Sequence, residues 1–262
     1  MFFNAKENKL VKSYFKGGHV IEKAVDQSAL KELKSEVVRN ILIKVPKLKN
    51  QAHDYILNDI HKFVPVSKLN DFRLDILHKI NKSSNFRKNF YYIAKSYLET
   101  LVGNELAMQY RINLSIQYPK DNSSLLDVHA DTWSGDSPFE IVVWLPLVDC
   151  YRTKAMYLLE PKHLKAFNKN FGKRKFQNSE ILFQSIKRKV KWIKIKYGQV
   201  LFFNQMLPHG NRVNSEKETR WSLNCRFKGV FTPYGDKKIG EFFEPITLRP
   251  VSKQGMNYKL PK

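Results

Sequence analysis

Cysteine is nearly missing from this chain of 262 residues: Cys150 and Cys225 are the only two, and no C-x-x-C occurs. That argues against a zinc or redox motif built on cysteine and suits a reducing cytoplasm. Long apolar runs are missing too. No segment approaches the roughly 18 apolar residues of a membrane helix. The opening MFFNAKENKLVKSYFK is broken by charges every few residues, so it holds no signal-peptide core. A soluble, cytoplasmic protein without a membrane span is the expectation. Acidic residues are scarce: 24 Asp and Glu stand against 46 Lys and Arg, a net charge of +22. Such a field attracts anions, among them nucleic acid, nucleotide-linked substrates and anionic glycans, although lysines spread along a chain also simply solvate it. No internal repeat or low-complexity tract is present. What is there is a hydrophobic content of 42% and an aromatic content of 13%, enough for a core and not a disordered composition.

Periodicity divides the chain. Residues 1–24 read as irregular, with Gly17-Gly18 as a turn. Helices are expected over about 26–43, where Leu30, Leu33, Val37 and Ile41 recur at spacings of three and four, over 68–80, and over 85–101. From residue 108 the period becomes two. Ile112, Leu114 and Ile116 fall on one face, and Asn113, Ser115 and Gln117 on the other. Further strands are expected over 125–129, 139–148, 156–159, 191–196, 199–204 and 220–231. The fold class is therefore α+β with a mainly β core: a helical N-terminal region (1–105) packed on a sandwich or jelly-roll core (106–262), with a basic insertion near 162–190.

Chemistry concentrates in the β-rich part. His129-Ala130-Asp131 is an H-x-D triplet, which chance alone supplies about once in a chain of this composition. It lies at the end of a strand candidate, where two residues at this spacing converge on one side. His209 follows the 199–204 strand, in Pro208-His209-Gly210. Two imidazoles and one carboxylate on one face of an octahedron form the ligand set of non-haem iron(II) oxygenases. That set leaves adjacent positions for a keto acid and for dioxygen. Arg220 and Ser222 alternate on the 220–231 strand and so share a face. Together they suit a carboxylate, the guanidinium binding it in bidentate fashion.

The ordered set H-x-D, His, R-x-S resembles the 2-oxoglutarate/Fe(II)-dependent dioxygenase superfamily, in particular its phytanoyl-CoA-hydroxylase-like branch. The stretch HADTWSGDSPFEIVVWLPLVD, with RTKAMYLL after it, is similar to the oxygenases named for sporadic carbohydrate clusters. Those are bacterial proteins encoded among genes for surface-polysaccharide synthesis. The resemblance covers residues 108–231 well and the N-terminal part only loosely. It implies a double-stranded β-helix, the jelly roll, flanked by helices. It maps His129, Asp131 and His209 to the Fe(II) ligands, and Arg220 and Ser222 to the clamp on the distal carboxylate of 2-oxoglutarate. Either Asn113 or Gln117 would meet the other end of that co-substrate. The implied reaction consumes 2-oxoglutarate and dioxygen and hydroxylates a sugar, nucleotide-sugar or glycan precursor, an anionic one given the charge of the chain.

Several other residues have two readings. Trp133, next to the H-x-D, either lines the pocket or lies outside it, whereas Trp144 reads as core. Arg152 and Lys154 form either an anion site or a solvated turn. Lys173, Arg174 and Lys175, and the run from Lys187 to Lys191, either dock an anionic substrate or form a solvated basic loop, the loop being the favoured reading. Asp136 and Glu140 are candidate partners for a ligand imidazole. Two other functions compete. Arg220 and Arg226 are spaced R-x5-R, as in oxidative demethylases of nucleic acid, and the basic charge agrees. A non-catalytic jelly-roll binding module is the third possibility. Oligomeric state is not readable.

Overall fold

The computed structural model describes residues 2–171 and 178–261. Its strands are β1 (His19–Lys23), β2 (Leu106–Gln109), β3 (Asn113–Gln117), β4 (Glu140–Pro146), β5 (Tyr157–Leu159), β6 (Val190–Trp192), β7 (Gln199–Asn204), β8 (His209–Gly210), β9 (Arg220–Gly229) and β10 (Phe243–Pro245). The larger sheet runs β1-β7-β4-β9-β2-β10, with β3 also paired to β9. The smaller runs β6-β5-β8. All pairings between these strands are antiparallel. Two facing sheets of this kind make the jelly roll expected from the alternating pattern.

Alternation along the large sheet separates two environments. On β4, Ile141, Val143 and Leu145 join one core with β7 Val200 and Phe202 and with β9 Trp221, Leu223, Cys225 and Phe227. That core also holds the apolar stripes of α2 (Gln27–Lys44), α4 (Leu69–Lys82) and α5 (Ser84–Tyr92). The intervening residues Val142, Trp144, Leu201 and Phe203 turn the other way, against Met156 and Leu158 of the small sheet. The helical layer thus covers one face of the large sheet, and the small sheet covers the other.

Local chemistry explains most helix ends. The Asp26 side chain accepts from Ala29 N at 2.9 Å to start α2, and α2 stops before Pro46. Ser83 closes α4 and caps α5 by accepting from Phe86 N. The helix expected over 85–101 is in fact two, α5 and α6 (Lys95–Leu101). Between them Ile93 and Ala94 are completely buried, and Val25 N donates to Ile93 O at 2.9 Å. A tertiary hydrogen bond takes a carbonyl that a continuous helix would use internally.

The first 24 residues are not irregular. Asn4 and Glu7 form a reciprocal cap that starts α1 (Ala5–Gly17), an Asn-x-x-Glu signal readable in the sequence. Gly18 ends the helix at φ 66°, and a Cβ there would collide with Leu207 and Pro161, so glycine is required twice over. β1 then pairs with β7, a partner that no local pattern announces. The segment 125–129, expected as a strand, is no strand: it is held by the His129 bridge to His209 and by Asn211 N donating to Leu126 O at 2.9 Å. The Asn211 side chain, not a strand partner, accepts from Leu126 N at 2.7 Å. Also beyond the sequence reading are α3 (His53–Asp59), β10 and α9 (Pro250–Asn257).

The basic insertion carries α7 (Pro161–Phe171) and α8 (Ser179–Ile186). Phe167, Leu182, Phe183 and Ile186 pack on Val128, Tyr157 and Leu159, the outer side of the small sheet. Of its basic clusters, Lys187, Arg188, Lys189 and Lys191 are exposed, while Lys173, Arg174 and Lys175 lie outside the described residues. No helix among those described is long and apolar enough to cross a membrane.

Candidate metal and anion site

One cavity of about 580 Å³ opens between the sheets, lined among others by His129, Asp131, His209, Arg220, Ser222 and Arg226. A cavity of that size falls in the range of small-molecule sites, roughly 300–1,000 Å³. His129 and His209 face each other because their backbones exchange hydrogen bonds, His129 N to His209 O at 2.9 Å and His209 N to His129 O at 2.7 Å. Val128 points outward to the α8 cluster, so its neighbour points inward. Asp131 is fixed by its N–H to Gln205 O at 3.1 Å. Gly210 makes the close approach possible: a Cβ there would lie 2.7 Å from both Leu126 O and the Tyr157 hydroxyl. Gly210→Ala is expected to cost about 1–3 kcal/mol through overpacking. Urea unfolding measures it, and an unchanged midpoint would refute the role assigned to that contact.

The three side chains are arranged as ligands. One ligand atom from each lies within 4.8 Å of the others. Each imidazole Nδ1 sits on the carbonyl two residues earlier, His129 on Asp127 O at 2.7 Å and His209 on Leu207 O at 2.8 Å. A carbonyl only accepts, so Nδ1 carries a proton in both rings, and Nε2 is the nitrogen left to offer a lone pair to a metal. Both Nε2 atoms face Asp131 Oδ1, at 3.7 and 3.9 Å. Burial lowers the pKa of His209 to about 4, so its ring is neutral at pH 7 and ready to ligate. Burial opposes the charge on Asp131, but His209, in the acid range where its ring is protonated, and Arg226 outweigh it and hold the carboxyl below its usual value. Two imidazoles and one carboxylate converging in this way fit a divalent first-row metal.

Arg226 is the residue that sequence reasoning tied only to the nucleic-acid alternative. Here its Nη2 lies 2.8 Å from Asp131 Oδ1. Its Nε donates to Gln205 Oε1 and approaches Asp136 Oδ1 at 3.3 Å. Gln205 in turn donates to Glu140 Oε2 at 3.0 Å. Asp136 and Glu140 therefore support the carboxylate ligand through Arg226 and Gln205, rather than an imidazole. The even spacing Arg220, Ser222, Asn224, Arg226 was the available signal, since it puts Arg226 on the cavity face. Arg226→Met is expected to weaken metal binding about 10–100-fold, the usual effect of removing a ligand's outer partner. Metal titration by calorimetry would show it, and wild-type affinity in the variant would count against it.

Arg220 is 2% exposed, yet it has no ion pair among the described residues. Its Nη2 donates to Ser115 Oγ at 2.9 Å, and its Nε has no partner. Burial pulls its pKa down to about 10, so it stays charged near neutrality. The Ser222 hydroxyl is buried and equally unpartnered. An unpaired buried guanidinium beside an unpaired hydroxyl is costly unless an anion arrives, and both line the cavity that holds the imidazoles. This is the fit expected of a dicarboxylate co-substrate spanning metal and arginine.

The remaining candidates separate. Asn113 lines the cavity and donates to Asn224 Oδ1 at 3.0 Å. Gln117 is fully buried, donates to Arg212 O at 2.6 Å, and is not in the lining. Trp133 is also outside the lining. It stacks on Phe171 and Phe167 of α7, with ring centroids 4.6 and 6.0 Å away, because the turn after Asp131 carries it onto the insertion. Arg152 is mostly exposed, 4.0 Å from Glu216, and does not reach the cavity. Lys154 is neither a solvated residue nor a free anion site: it is completely buried and donates to Glu218 at 2.7 Å and Asn58 at 2.8 Å.

No protein-family model matches the sequence, and no curated protein sequence is significantly similar. Solved structures do share the fold. A non-heme alpha ketoglutarate dependent carbocyclase, SnoK from nogalamycin biosynthesis, is 14% identical with a TM-score of 0.57, covering 94% of this chain and 97% of that one. AviO1 from Streptomyces viridochromogenes Tue57 is 12% identical with a TM-score of 0.56, covering 89% and 99%. HygX from Streptomyces hygroscopicus, solved with nickel and 2-oxoglutarate bound, is 12% identical with a TM-score of 0.52, covering 88% and 89%. The chain thus has the jelly-roll fold of non-haem, 2-oxoglutarate-using enzymes.

Proposed function

We propose that this chain is an Fe(II)- and 2-oxoglutarate-dependent oxygenase acting on a small-molecule substrate. One observation carries the reading: the three convergent ligand atoms share a cavity with a buried arginine that has no acidic partner among the described residues. His129 and His209, through Nε2, and the Asp131 carboxylate would hold Fe(II). Arg220 and Ser222 would take the distal carboxylate of 2-oxoglutarate, with Asn113 rather than Gln117 placed to meet the bound co-substrate. With 2-oxoglutarate and dioxygen, the bound metal supplies oxidation of an unactivated C–H bond. The protein's share is position and dryness. Val142, Trp144, Met156 and Phe203 make the apolar wall that excludes water, and Arg226 holds the carboxylate ligand in place.

The substrate class proposed is a sugar, nucleotide-sugar or glycan precursor of bacterial surface polysaccharide. The likeness of the HADTWSGDSPFEIVVWLPLVD stretch to oxygenases of carbohydrate clusters supports it, as does the charge of +22. Two buried free cysteines agree with a cytoplasmic setting. Nucleic acid has less support, since Arg226 is engaged by Asp131.

Titration of 2-oxoglutarate into the anaerobic Fe(II) protein tests the reading. A visible metal-to-ligand charge-transfer band should grow to saturation. Its absence from well-folded protein would leave a non-catalytic binding module as the better account.

A further inference from the structure

A second unpaired arginine lines the same cavity. Arg73, on α4, sits with Asn70 and with Ser123 and Ser124, residues of the segment that leads to the H-x-D. Ser123 is exposed and Arg73 half-buried, whereas Arg220 is buried. These residues therefore form the mouth of the cavity and Arg220 its inner end. Arg73 has no ion pair among the described residues; its Nη2 donates to Asn70 Oδ1 at 2.8 Å, which orients the guanidinium. Asp75 pairs with Lys79 and Lys44, and Asp121, whose oxygens accept from Ser123, makes no ion pair with Arg73. Asp131, the one acidic residue in the lining, is paired with Arg226. Burial opposes the Arg73 charge, and neighbouring Arg111 opposes it further. Arg111 is itself exposed and without an ion pair among the described residues.

The cavity is therefore lined by two guanidinium groups without an ion pair among the described residues, one buried and one half-buried. The inner one suits the co-substrate. A second calls for a second anion, because a guanidinium fork binds an oxyanion through paired, charge-assisted hydrogen bonds. We infer that Arg73, with Arg111 beside it, is an oxyanion subsite for the substrate, holding a phosphoryl or carboxylate group at the cavity mouth while the rest of the molecule reaches toward His129. The inference rests on the oxygenase reading and names the class of substrate: a charged one, bound by its anionic group.

The test is calorimetry with three probes, glucose 1-phosphate, glucuronate and glucose, titrated into protein loaded with Ni(II) and 2-oxoglutarate. At least one charged sugar should bind about tenfold or more tightly than glucose, as expected for one charge-assisted pair. Arg73→Gln should remove most of that advantage, Arg73→Gln/Arg111→Gln should remove all of it, and 2-oxoglutarate affinity should be unchanged in both. Preference for the phosphate or for the uronate identifies the anion. If neither charged sugar binds better than glucose, or if Arg73→Gln leaves the difference intact, the subsite is wrong. Failure of 2-oxoglutarate to load would count against the oxygenase reading instead. The three sugars titrated into Arg220→Met holding Ni(II) alone, where the inner arginine is gone, would then still decide the role of Arg73.

Discussion

Arg220→Met should make the free protein more heat-stable while abolishing its use of 2-oxoglutarate. Both halves follow from one fact: a charge 2% exposed, with no acidic partner among the described residues. Without an anion, the guanidinium has lost water and gained only Ser115. Replacing such a buried charge with an apolar side chain of similar length is commonly stabilising, here by about 1–2 kcal/mol. At roughly 2–4 °C per kcal/mol for a large domain, the melting temperature should rise by several degrees. With a bound dicarboxylate the sign reverses. Loss of one partner of a buried charge pair costs about 2–5 kcal/mol, so affinity for 2-oxoglutarate should fall roughly 30-fold at least. Arg220→Lys keeps the charge without the planar fork and should lie between. Differential scanning calorimetry and co-substrate titration read the two effects. A variant that melts earlier and binds 2-oxoglutarate normally would show that Arg220 is a structural residue.

His209→Ala should erase metal binding. A ligand that binds only the folded state at a hundred times its dissociation constant stabilises by about 2.7 kcal/mol, so Ni(II), which is redox-silent here, should raise the melting temperature of the wild type by several degrees. The same metal concentration should leave His209→Ala unmoved. His209 is buried, and its loss changes packing against Phe203 as well. His129 is the cleaner control, because its side chain is 34% exposed and its removal disturbs less. Equal loss of the Ni(II) shift in both variants, with both folded, is the expected result. A full shift in His129→Ala would mean that the three residues do not act as one site.

Alternation and helical spacing were legible because they are local. Leu30, Leu33, Val37 and Ile41 lie on the buried face of α2 as their spacing requires. Leu114 and Ile116 join the helical core, as their alternation with Asn113 and Ser115 requires. By the same rule Arg220, Ser222 and Arg226 share the inner face of β9, so the composition of the cavity wall was implicit in a list of residues. The capping pair Asn4 and Glu7, which starts α1, is equally local.

Other features depended on partners distant in the chain. β1 exists because β7 lies beside it, and the break at Ile93 exists because Val25 needs an acceptor. Neither leaves a mark on the periodicity of its own segment. Charge behaves likewise. Lys154 looks like any turn lysine until Glu218 and Asn58 close over it, and Arg226 looks like half of a spacing motif until Asp131 meets it. From the sequence alone came the class of fold, the three candidate ligands and the arginine after them, because residue type and period dictate these. Which of Asn113 and Gln117 reaches the cavity, where Trp133 packs, and which arginines remain without acids were decided only by tertiary structure. Pairing and desolvation are properties of neighbours in space, and a linear order does not state them.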